Sequence, residues 1–199
     1  MRAHGKPAAR PVSGSLRIVA GRLRGSRIEV IDSAGLRPTS DRVRETLFNW
    51  LMPVIAGARC LDLYAGTGAL GIEACSRGAA ECVFVERDRE LARRLGENLA
   101  RLKVEGARVV HADAMGWLGS PPAPFDIVFL DPPFDADAWA AVALRLEEGG
   151  WLRGDAWVYV ESPTTWVPVL PTGWREHRVG QAGNVRLALY RRAGPDPLS

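Results

Sequence analysis

From residue 59 onward, short apolar runs alternate with stretches of helical periodicity. The clearest helical stretch spans residues 88–103, where leucines form one stripe at Leu91, Leu95, Leu99 and Leu102. The predicted strands are Cys60–Tyr64, Glu81–Glu86, Arg108–His111, Phe125–Leu130 and Ala156–Glu161, followed by an antiparallel pair at Trp174–Val179 and Val185–Tyr190. The predicted helices are Ala69–Arg77, Asp88–Lys103, Ala114–Leu118 and Ala136–Leu146. Such alternation predicts an α/β protein with a mostly parallel sheet and helices on both of its faces.

A different pattern precedes residue 59. Leu16–Ala20 and Ser26–Ile31 have the length of short strands, and the glycines of the 21–25 connection favour a hairpin. A helix is predicted to follow, with Thr39, Ser40 or Asp41 as its N-cap, an apolar stripe that ends at Leu51, and Pro53 as its stop. Because a two-stranded ribbon is only marginally stable alone, the hairpin is expected to pack on the body.

Composition narrows the class of protein. The chain has 199 residues with 47% hydrophobic content, which fits one domain with a real core. No apolar run has the length of a membrane span and no signal peptide is recognised, so a cytoplasmic location is expected. Cys60, Cys75 and Cys82 lie in apolar segments without metal-ligand spacing, which favours buried reduced thiols and no metal site.

The basic residues are concentrated near the start of the chain. Eleven of the 26 Lys and Arg residues fall within the first 59 residues, whereas the remainder carries more acids than bases. The arginines of the predicted hairpin are Arg17, Arg22, Arg24 and Arg27. A cationic surface of this kind suits nucleic acid, although solubility explains it as well, and for residues 1–15 a flexible terminus is the better interpretation.

A glycine motif follows the first predicted strand of the body. Gly66, Gly68 and Gly71 satisfy the G-x-G-x-x-G pattern, and Glu86 lies 20 residues beyond Gly66. This matches the dinucleotide fingerprint, so a nicotinamide-dependent dehydrogenase has to be considered. An acid in the position of Glu86 would accept hydrogen bonds from both ribose hydroxyls of an adenosine.

Acidic residues recur where successive strands end. Asp62, Glu86, Asp113 and Asp131 are predicted to meet at the carboxyl edge of the sheet, where open α/β sheets bind ligands. This ring of carboxylates would repel a pyrophosphate but would accept S-adenosylmethionine, which carries a sulfonium and an ammonium. Asp62 is placed to reach the amino-acid end and Asp113 the adenine amine. Each acid alone is as easily a turn or helix cap.

The tetrapeptide Asp131-Pro132-Pro133-Phe134 follows the fourth strand of the body. Its two prolines stiffen the loop, and the segment presents a carboxylate, carbonyl oxygens and one aromatic face. A planar base with an exocyclic amine needs such acceptors and such a ring. An ordinary turn with a surface Phe134 explains the tetrapeptide alone equally well, and the ring of acids favours the base pocket.

The chain resembles class I, Rossmann-like S-adenosylmethionine-dependent methyltransferases that modify exocyclic amines of bases. The resemblance lies in the run 62–68, in Glu86 and Asp113, and in the tetrapeptide. Leu36–Leu51 with the tetrapeptide resembles, more narrowly, the RsmD family of bacterial small-subunit ribosomal RNA guanine-N2 methyltransferases. The resemblance implies a seven-stranded sheet with an antiparallel closing strand, an RNA-contacting N-terminal hairpin, and methyl transfer to one guanine without a metal. Phe134 departs from the commoner Tyr but keeps the ring face.

The resemblance also implies domain boundaries and sites. The predicted parts are a flexible basic N-terminus (1–15), a hairpin extension (16–35), a methyltransferase domain (36–192) and a flexible tail (193–199). The catalytic set is Asp131, Pro132, Pro133 and Phe134, and the cofactor set is Asp62, Tyr64, Ala65, Gly66, Gly68, Glu86, Arg87, Asp113 and Ala114. The RNA-binding set is Arg17, Arg22, Arg24, Arg27, Arg37 and Arg42. The substrate is expected to be a small ribosomal subunit or an assembly intermediate, and the enzyme a monomer.

Two other functions stay open. An adenine-N6 methyltransferase acting on DNA or RNA would share the cofactor half and the tetrapeptide, and the choice of guanine rests on the resemblance alone. A non-enzymatic RNA-binding module would explain the basic residues but not the ring of acids. The position of Arg37 and Arg42 in the sequence does not decide between the RNA surface and the cofactor pocket.

Overall fold

In the computed structural model, which describes residues 11–32, 39–134 and 137–193, an α/β body carries an N-terminal hairpin. The strands are β1 (Val12–Arg17), β2 (Arg27–Ile31), β3 (Arg59–Asp62), β4 (Glu81–Glu86), β5 (Ala107–His111), β6 (Phe125–Leu130), β7 (Leu152–Pro163), β8 (Trp174–Ala182) and β9 (Val185–Arg192). The helices are α1 (Asp41–Leu51), α2 (Ala69–Ser76), α3 (Arg89–Arg101), α4 (Ala114–Trp117) and α5 (Trp139–Glu148). This arrangement confirms the predicted fold class.

The main sheet has seven strands in the order β5-β4-β3-β6-β7-β9-β8. The first five strands of that order run parallel, and β9 is antiparallel to both of its neighbours. The chain moves outward from β3 through β4 to β5 and then crosses back to place β6 on the other side of β3. This reversal makes the carboxyl ends of β3 and β6 the expected ligand crevice.

Two apolar layers cover the sheet because successive side chains of a strand point to opposite faces. On one face, Phe129 of β6 and Tyr159 of β7 pack in a cluster with α1, α2, α3 and the hairpin. On the other, Leu130 and Val160 pack in a cluster with α4 and α5. The central strands are buried on both faces, which is why their sequences read as continuous apolar runs.

The first strand of the hairpin lies earlier in the chain than predicted, whereas the second lies where it was predicted. β1 begins at Val12, not at Leu16, so residues 12–15 belong to the hairpin and not to a flexible terminus. Val19 and Ala20, predicted to end this strand, leave the ladder because their N–H groups donate to the Glu73 carboxylate at 2.9 Å each. A buried acid of the body therefore outweighs the strand preference of this segment.

Polar contacts fix the hairpin to the body. The fully buried Arg44 donates to the Arg17 carbonyl at 2.8 Å and lies 3.5 Å from the buried Glu73 carboxylate. Asn98 of α3 bonds both the N–H and the carbonyl of Glu29, at 3.0 and 2.9 Å. The hairpin is therefore held at both strands, as its marginal size requires.

The remaining differences concern element ends. Ser40, one of three predicted caps, caps α1 by accepting from the Val43 N–H at 3.3 Å. β7 begins at Leu152, four residues before the predicted start, and α5 begins at Trp139. The predicted start of α5 at residue 136 lies outside the described residues, as do residues 1–10, Arg37 and the tail beyond residue 193. Within the described ranges, no helix is long and apolar enough to cross a membrane.

Candidate functional site

A cavity of about 730 Å³ opens at the carboxyl ends of β3, β4 and β6. Most of the predicted site residues line it, and they come from loops far apart in the chain. The lining includes Asp62, Tyr64, Ala65, Gly66, Glu86, Arg87, Asp113, Ala114, Asp131, Pro132, Pro133 and Phe134. The residues predicted for the cofactor and for catalysis, with the exception of Gly68, therefore lie around one cavity at the strand reversal.

The glycine loop serves packing as well as the cavity. Gly66 has φ 51° and donates its N–H to Glu86 at 2.8 Å. A Cβ on Gly68 would lie 2.3 Å from a Leu95 methyl, and one on Gly71 would lie 2.2 Å from the Phe84 ring. Gly68, predicted to bind the cofactor, is not among the cavity-lining residues described and instead permits close approach of α3.

Asp62 ends β3 and is 3% exposed. Burial raises its pKa to about 7, against the effect of a 3.0 Å hydrogen bond from the Gly71 N–H, and the Glu86 charge adds to the rise. A carboxylate that burial disfavours in this way gains from a cationic ligand, because the positive charge stabilises its ionised form.

Glu86 ends β4 and Asp113 follows β5, and both carboxylates accept hydrogen bonds from backbone N–H groups. Glu86 accepts backbone N–H groups on both oxygens, from Gly66 and, at 2.7 Å, from Asp88. Asp113 caps α4 by accepting from the Gly116 N–H at 3.0 Å. An ionised carboxylate has about four acceptor positions, so both residues keep capacity for a ligand in the cavity.

The tetrapeptide forms the wall of the cavity next to Asp62. Burial raises the pKa of Asp131 well above its usual range, and the charges of Glu161 and Asp62 raise it further. Phe134 packs against Trp139 with ring centroids 6.0 Å apart, and Trp139 packs against Trp166 at 5.3 Å. This aromatic support restricts the Phe134 ring beside the carboxylate.

Several lining residues escaped the sequence-based prediction. Glu161 is the last residue of the predicted strand Ala156–Glu161, so the pattern that selected four acids at strand ends also pointed to it. The start of α1 contributes Thr39, Ser40 and Val43, and the β8–β9 turn contributes Ala182 and Val185. These last five carry no local motif, because only the tertiary fold brings them to the cavity.

The predicted RNA-binding arginines lie on the hairpin and at the start of α1. Arg17, Arg22, Arg24 and Arg27 are exposed, and Arg27 bonds the Ser15 hydroxyl at 2.9 Å. Arg42 is exposed on the first turn of α1, beside the cavity-lining Ser40 and Val43. Arg37 lies outside the described residues.

Known proteins match nearly the whole chain. A family model described as conserved hypothetical protein 95 matches residues 16–191. The Escherichia coli protein named ribosomal RNA small subunit methyltransferase D is 50% identical over 181 residues, which cover 90% of this chain and 91% of that protein. The chain belongs to the RsmD family of S-adenosylmethionine-dependent methyltransferases.

Other RsmD matches agree with this assignment. The Haemophilus influenzae protein of the same name is 42% identical over 182 residues, covering 89% of this chain and 94% of its own. A solved Escherichia coli structure, described as a candidate methyltransferase, is 47% identical with a TM-score of 0.85 and covers 90% of this chain and 99% of its own.

The cavity fits the cofactor of the RsmD family. S-adenosylmethionine carries an ammonium and a sulfonium, and the carboxylate of Asp62 in the cavity wall offers the opposite charge. The Gly66 N–H, which would face a pyrophosphate in a dinucleotide enzyme, is already bonded to Glu86. The acidic lining and the occupied Gly66 N–H therefore favour a cationic nucleoside over a dinucleotide.

Proposed function

We propose that the protein methylates the exocyclic N2 of a guanine in small-subunit ribosomal RNA. Its membership of the RsmD family and the names of its curated relatives support ribosomal RNA as the substrate. The guanine N2 atom is the finer part of the proposal. The choice of guanine follows the RsmD family, and one observation carries methyl transfer to an exocyclic amine: the tetrapeptide lines the same cavity as Asp62, Glu86 and Asp113.

Bound S-adenosylmethionine supplies an electrophilic methyl group on a positively charged sulfur, and the protein supplies position and charge. Asp131 and the Pro132 carbonyl accept the two hydrogens of the guanine amine, which directs the N2 lone pair away from them. The Asp131 carboxylate also stabilises the positive charge that develops on N2, and it or water takes the proton afterwards. Most of the rate enhancement then comes from orientation.

Phe134 holds the plane of the base. A base inside a helix cannot reach this cavity, so the target nucleotide leaves its stack and lies on the Phe134 ring. Trp139, which is 1% exposed, supports that ring from behind. Thr39 and Ser40 at the start of α1 line the same cavity and are placed to contact the nucleotide.

The hairpin supplies contacts to phosphates, which set register and read no sequence. Its exposed arginines, Arg17, Arg22, Arg24 and Arg27, belong to an element that is clamped to the body through Arg44 and Asn98. A clamped hairpin presents its charges as a rigid surface, which suits a structured target such as a small subunit or an assembly intermediate. The enzyme acts as a monomer in the cytoplasm.

Transfer of labelled methyl groups to three substrates tests the polymer. Small ribosomal subunits from unmethylated cells, naked small-subunit RNA and duplex DNA are incubated with the enzyme and labelled cofactor. We expect label in ribosomal RNA, more in particles than in naked RNA, and none in DNA. Label in DNA with none in RNA would favour the adenine-N6 alternative, and no label in any substrate would favour a binding module.

A further inference from the structure

Glu161 lies beside Asp131, near the carboxyl ends of the neighbouring parallel strands β6 and β7. Leu130, the last residue of β6, pairs in register with Val160 of the parallel strand β7. The next residues, Asp131 just after β6 and Glu161 within β7, therefore lie side by side. Both line the cavity. The base pocket therefore contains two adjacent carboxylates, of which the tetrapeptide accounts for one.

The position of Glu161 is fixed by two buried side chains. The Tyr159 hydroxyl donates to Glu161 Oε2 at 2.9 Å, and the Trp139 indole N–H donates to the Glu161 carbonyl at 2.8 Å. Tyr159 is fully buried, so its hydroxyl does not swing away into solvent. The Glu161 carboxylate accepts this hydrogen bond through Oε2, which leaves Oε1 to accept from a ligand.

Guanine and adenine differ in what they present to such a pair. Guanine has an N1–H donor directly beside its N2 amine, so this edge offers adjacent N–H groups. Adenine has an unprotonated N1 beside its N6 amine, and this nitrogen is an acceptor. Two neighbouring carboxylates match the first edge, whereas an adenine N1 lone pair would face a carboxylate oxygen with no proton between them.

We propose that Glu161 selects guanine by accepting a hydrogen bond from N1–H while Asp131 and Pro132 hold the N2 amine. This inference rests on the proposed function and adds a specificity determinant to it. It also explains why the pocket holds a second acid that the methyl-transfer step does not require.

The charges around the pair agree with a donor-rich ligand. Burial raises the pKa of Glu161, against the effect of the Tyr159 hydrogen bond, while the charges of Glu161 and Asp62 add to the rise in the pKa of Asp131. Three acids crowded together without a cation oppose each other's ionisation. The N–H groups of guanine and a cationic cofactor relieve this, whereas the N1 lone pair of adenine does not.

The test compares two bases that share the amine and differ at N1. The methylated nucleotide is first mapped with the wild-type enzyme and then replaced by 2-aminopurine, which keeps the 2-amino group but has an acceptor at N1. Single-turnover rates are measured on both RNAs with wild type, Glu161→Gln and the exposed helix variant Glu148→Gln. The readout is the ratio of the guanine rate to the 2-aminopurine rate, compared between enzymes. 2-Aminopurine also lacks O6, but this loss affects all three enzymes alike and cancels in the comparison.

We expect wild type and Glu148→Gln to prefer guanine by about 10²-fold or more, because a site built around a donor rejects an analogue that lacks it. The amide introduced by Glu161→Gln offers an N–H to the N1 acceptor, so the ratio should fall at least about 10-fold. An equal loss on both bases in Glu161→Gln, or no preference in wild type, would overturn the role of Glu161. Absence of N2-methylguanine with wild type would instead overturn the proposed function and this inference with it.

Tyr159→Phe provides a second variant that leaves the carboxylate in place. It removes the hydrogen bond that orients Glu161, so the guanine preference should fall in the same direction but by less. Thermal unfolding of Glu161→Gln and Tyr159→Phe shows whether each is folded at the assay temperature. An unchanged preference in a folded Tyr159→Phe enzyme, together with an equal loss on both bases in Glu161→Gln, would leave Glu161 a structural role only.

Discussion

Asp131 has to satisfy two opposing requirements. In the free protein it is a carboxylate crowded by Glu161 and Asp62, and its pKa is raised well above the usual range. In the proposed reaction it must be ionised to accept from the amine and to stabilise charge on N2. Bound ligands favour the ionised form of Asp131, because the cofactor is cationic and the base brings N–H donors.

Replacement of Asp131 by Ala separates binding from chemistry. The change removes an acceptor for the amine while the residues assigned to the nucleoside, Glu86 and Asp113, stay in place. We expect the single-turnover rate to fall by about 10²–10³-fold or more, with the cofactor Kd changed by less than about threefold by calorimetry. An active Asp131→Ala enzyme would refute the assignment of the tetrapeptide.

The same residue makes the unliganded protein sensitive to pH. A carboxyl with a raised folded-state pKa contributes stability below its unfolded-state pKa, and this contribution is lost as pH rises through the folded-state pKa. Burial raises the pKa of Asp62 to about 7 and that of Asp131 well above its usual range, so the loss extends through neutral pH. The unliganded enzyme should therefore be less stable at pH 8 than at pH 5 as far as these groups contribute.

Asp131→Asn should reduce this dependence, because the amide does not ionise. We expect the variant at pH 8 to exceed wild type in free energy of unfolding by about 1 kcal/mol, and the difference to shrink at pH 5. Denaturant titrations at both pH values measure it, with the exposed Asp155→Asn as control. An equal change at both pH values would mean that the carboxylate of Asp131 is not destabilised by its surroundings.

At the level of elements, the glycine motif predicted the correct loop, but two of its three glycines are needed for packing and not for the ligand. Gly66 shapes the cavity, but Gly68 and Gly71 are required where α2 packs against Leu95 of α3 and Phe84 of β4. The motif is usually associated with a bound nucleotide, and in this protein it also allows α2 to pack closely on its neighbours. The sequence pattern does not separate the two roles, because both demand the absence of a Cβ.

Two glycine substitutions test the packing role. Gly71→Ala would place its Cβ 2.2 Å from the Phe84 ring and should lower the free energy of unfolding by about 1–3 kcal/mol. Gly96→Ala lies in the interior of α3 with no atom within 4 Å of the new Cβ, so it should raise stability by about 0.5–1 kcal/mol. Denaturant titration measures both, and a neutral Gly71→Ala would show that α2 has room to move.

The hairpin shows where local patterns fail. Its strands were predicted near the correct residues, but β1 ends at Arg17 and not at Ala20, because Val19 and Ala20 donate to Glu73, an acid more than 50 residues away in sequence. Likewise, the buried Arg44 was predicted only as part of a helix, and its contacts with Arg17 and Glu73 depend on docking of the hairpin. Such long-range polar contacts leave no periodic signal.

Removal of the hairpin charges tests its proposed role. Arg22→Ala with Arg24→Ala should weaken RNA binding and reduce the slope of log K against log salt by about one to two units. The control is Lys103→Ala with Arg108→Ala. Lys103 precedes β5 and Arg108 lies within it; both are exposed, and their removal makes the same change in net charge. If both pairs change the slope equally, net charge and not the hairpin surface governs RNA binding.

For the whole molecule, the alternation of strands and helices was sufficient to predict the fold class. The recurrence of acids at strand ends was sufficient to predict where the cavity lies and which acids line it, Glu161 excepted, because parallel strands bring their carboxyl ends to one edge. The residues contributed by α1 and by the β8–β9 turn were not predictable, since their approach depends on how α1 and the last strands pack. Glu161 was within reach of the same rule and was overlooked.

Identification of the modified nucleoside tests the central claim most directly. Small subunits from unmethylated cells are treated with the purified enzyme and S-adenosylmethionine, and their RNA is digested and analysed by mass spectrometry. The combination of Asp131, Phe134 and Glu161 in one cavity predicts N2-methylguanosine at one position with wild type, and at least about 10²-fold less in the same reaction time with Asp131→Ala. N6-methyladenosine, or N2-methylguanosine formed equally by Asp131→Ala, would contradict it.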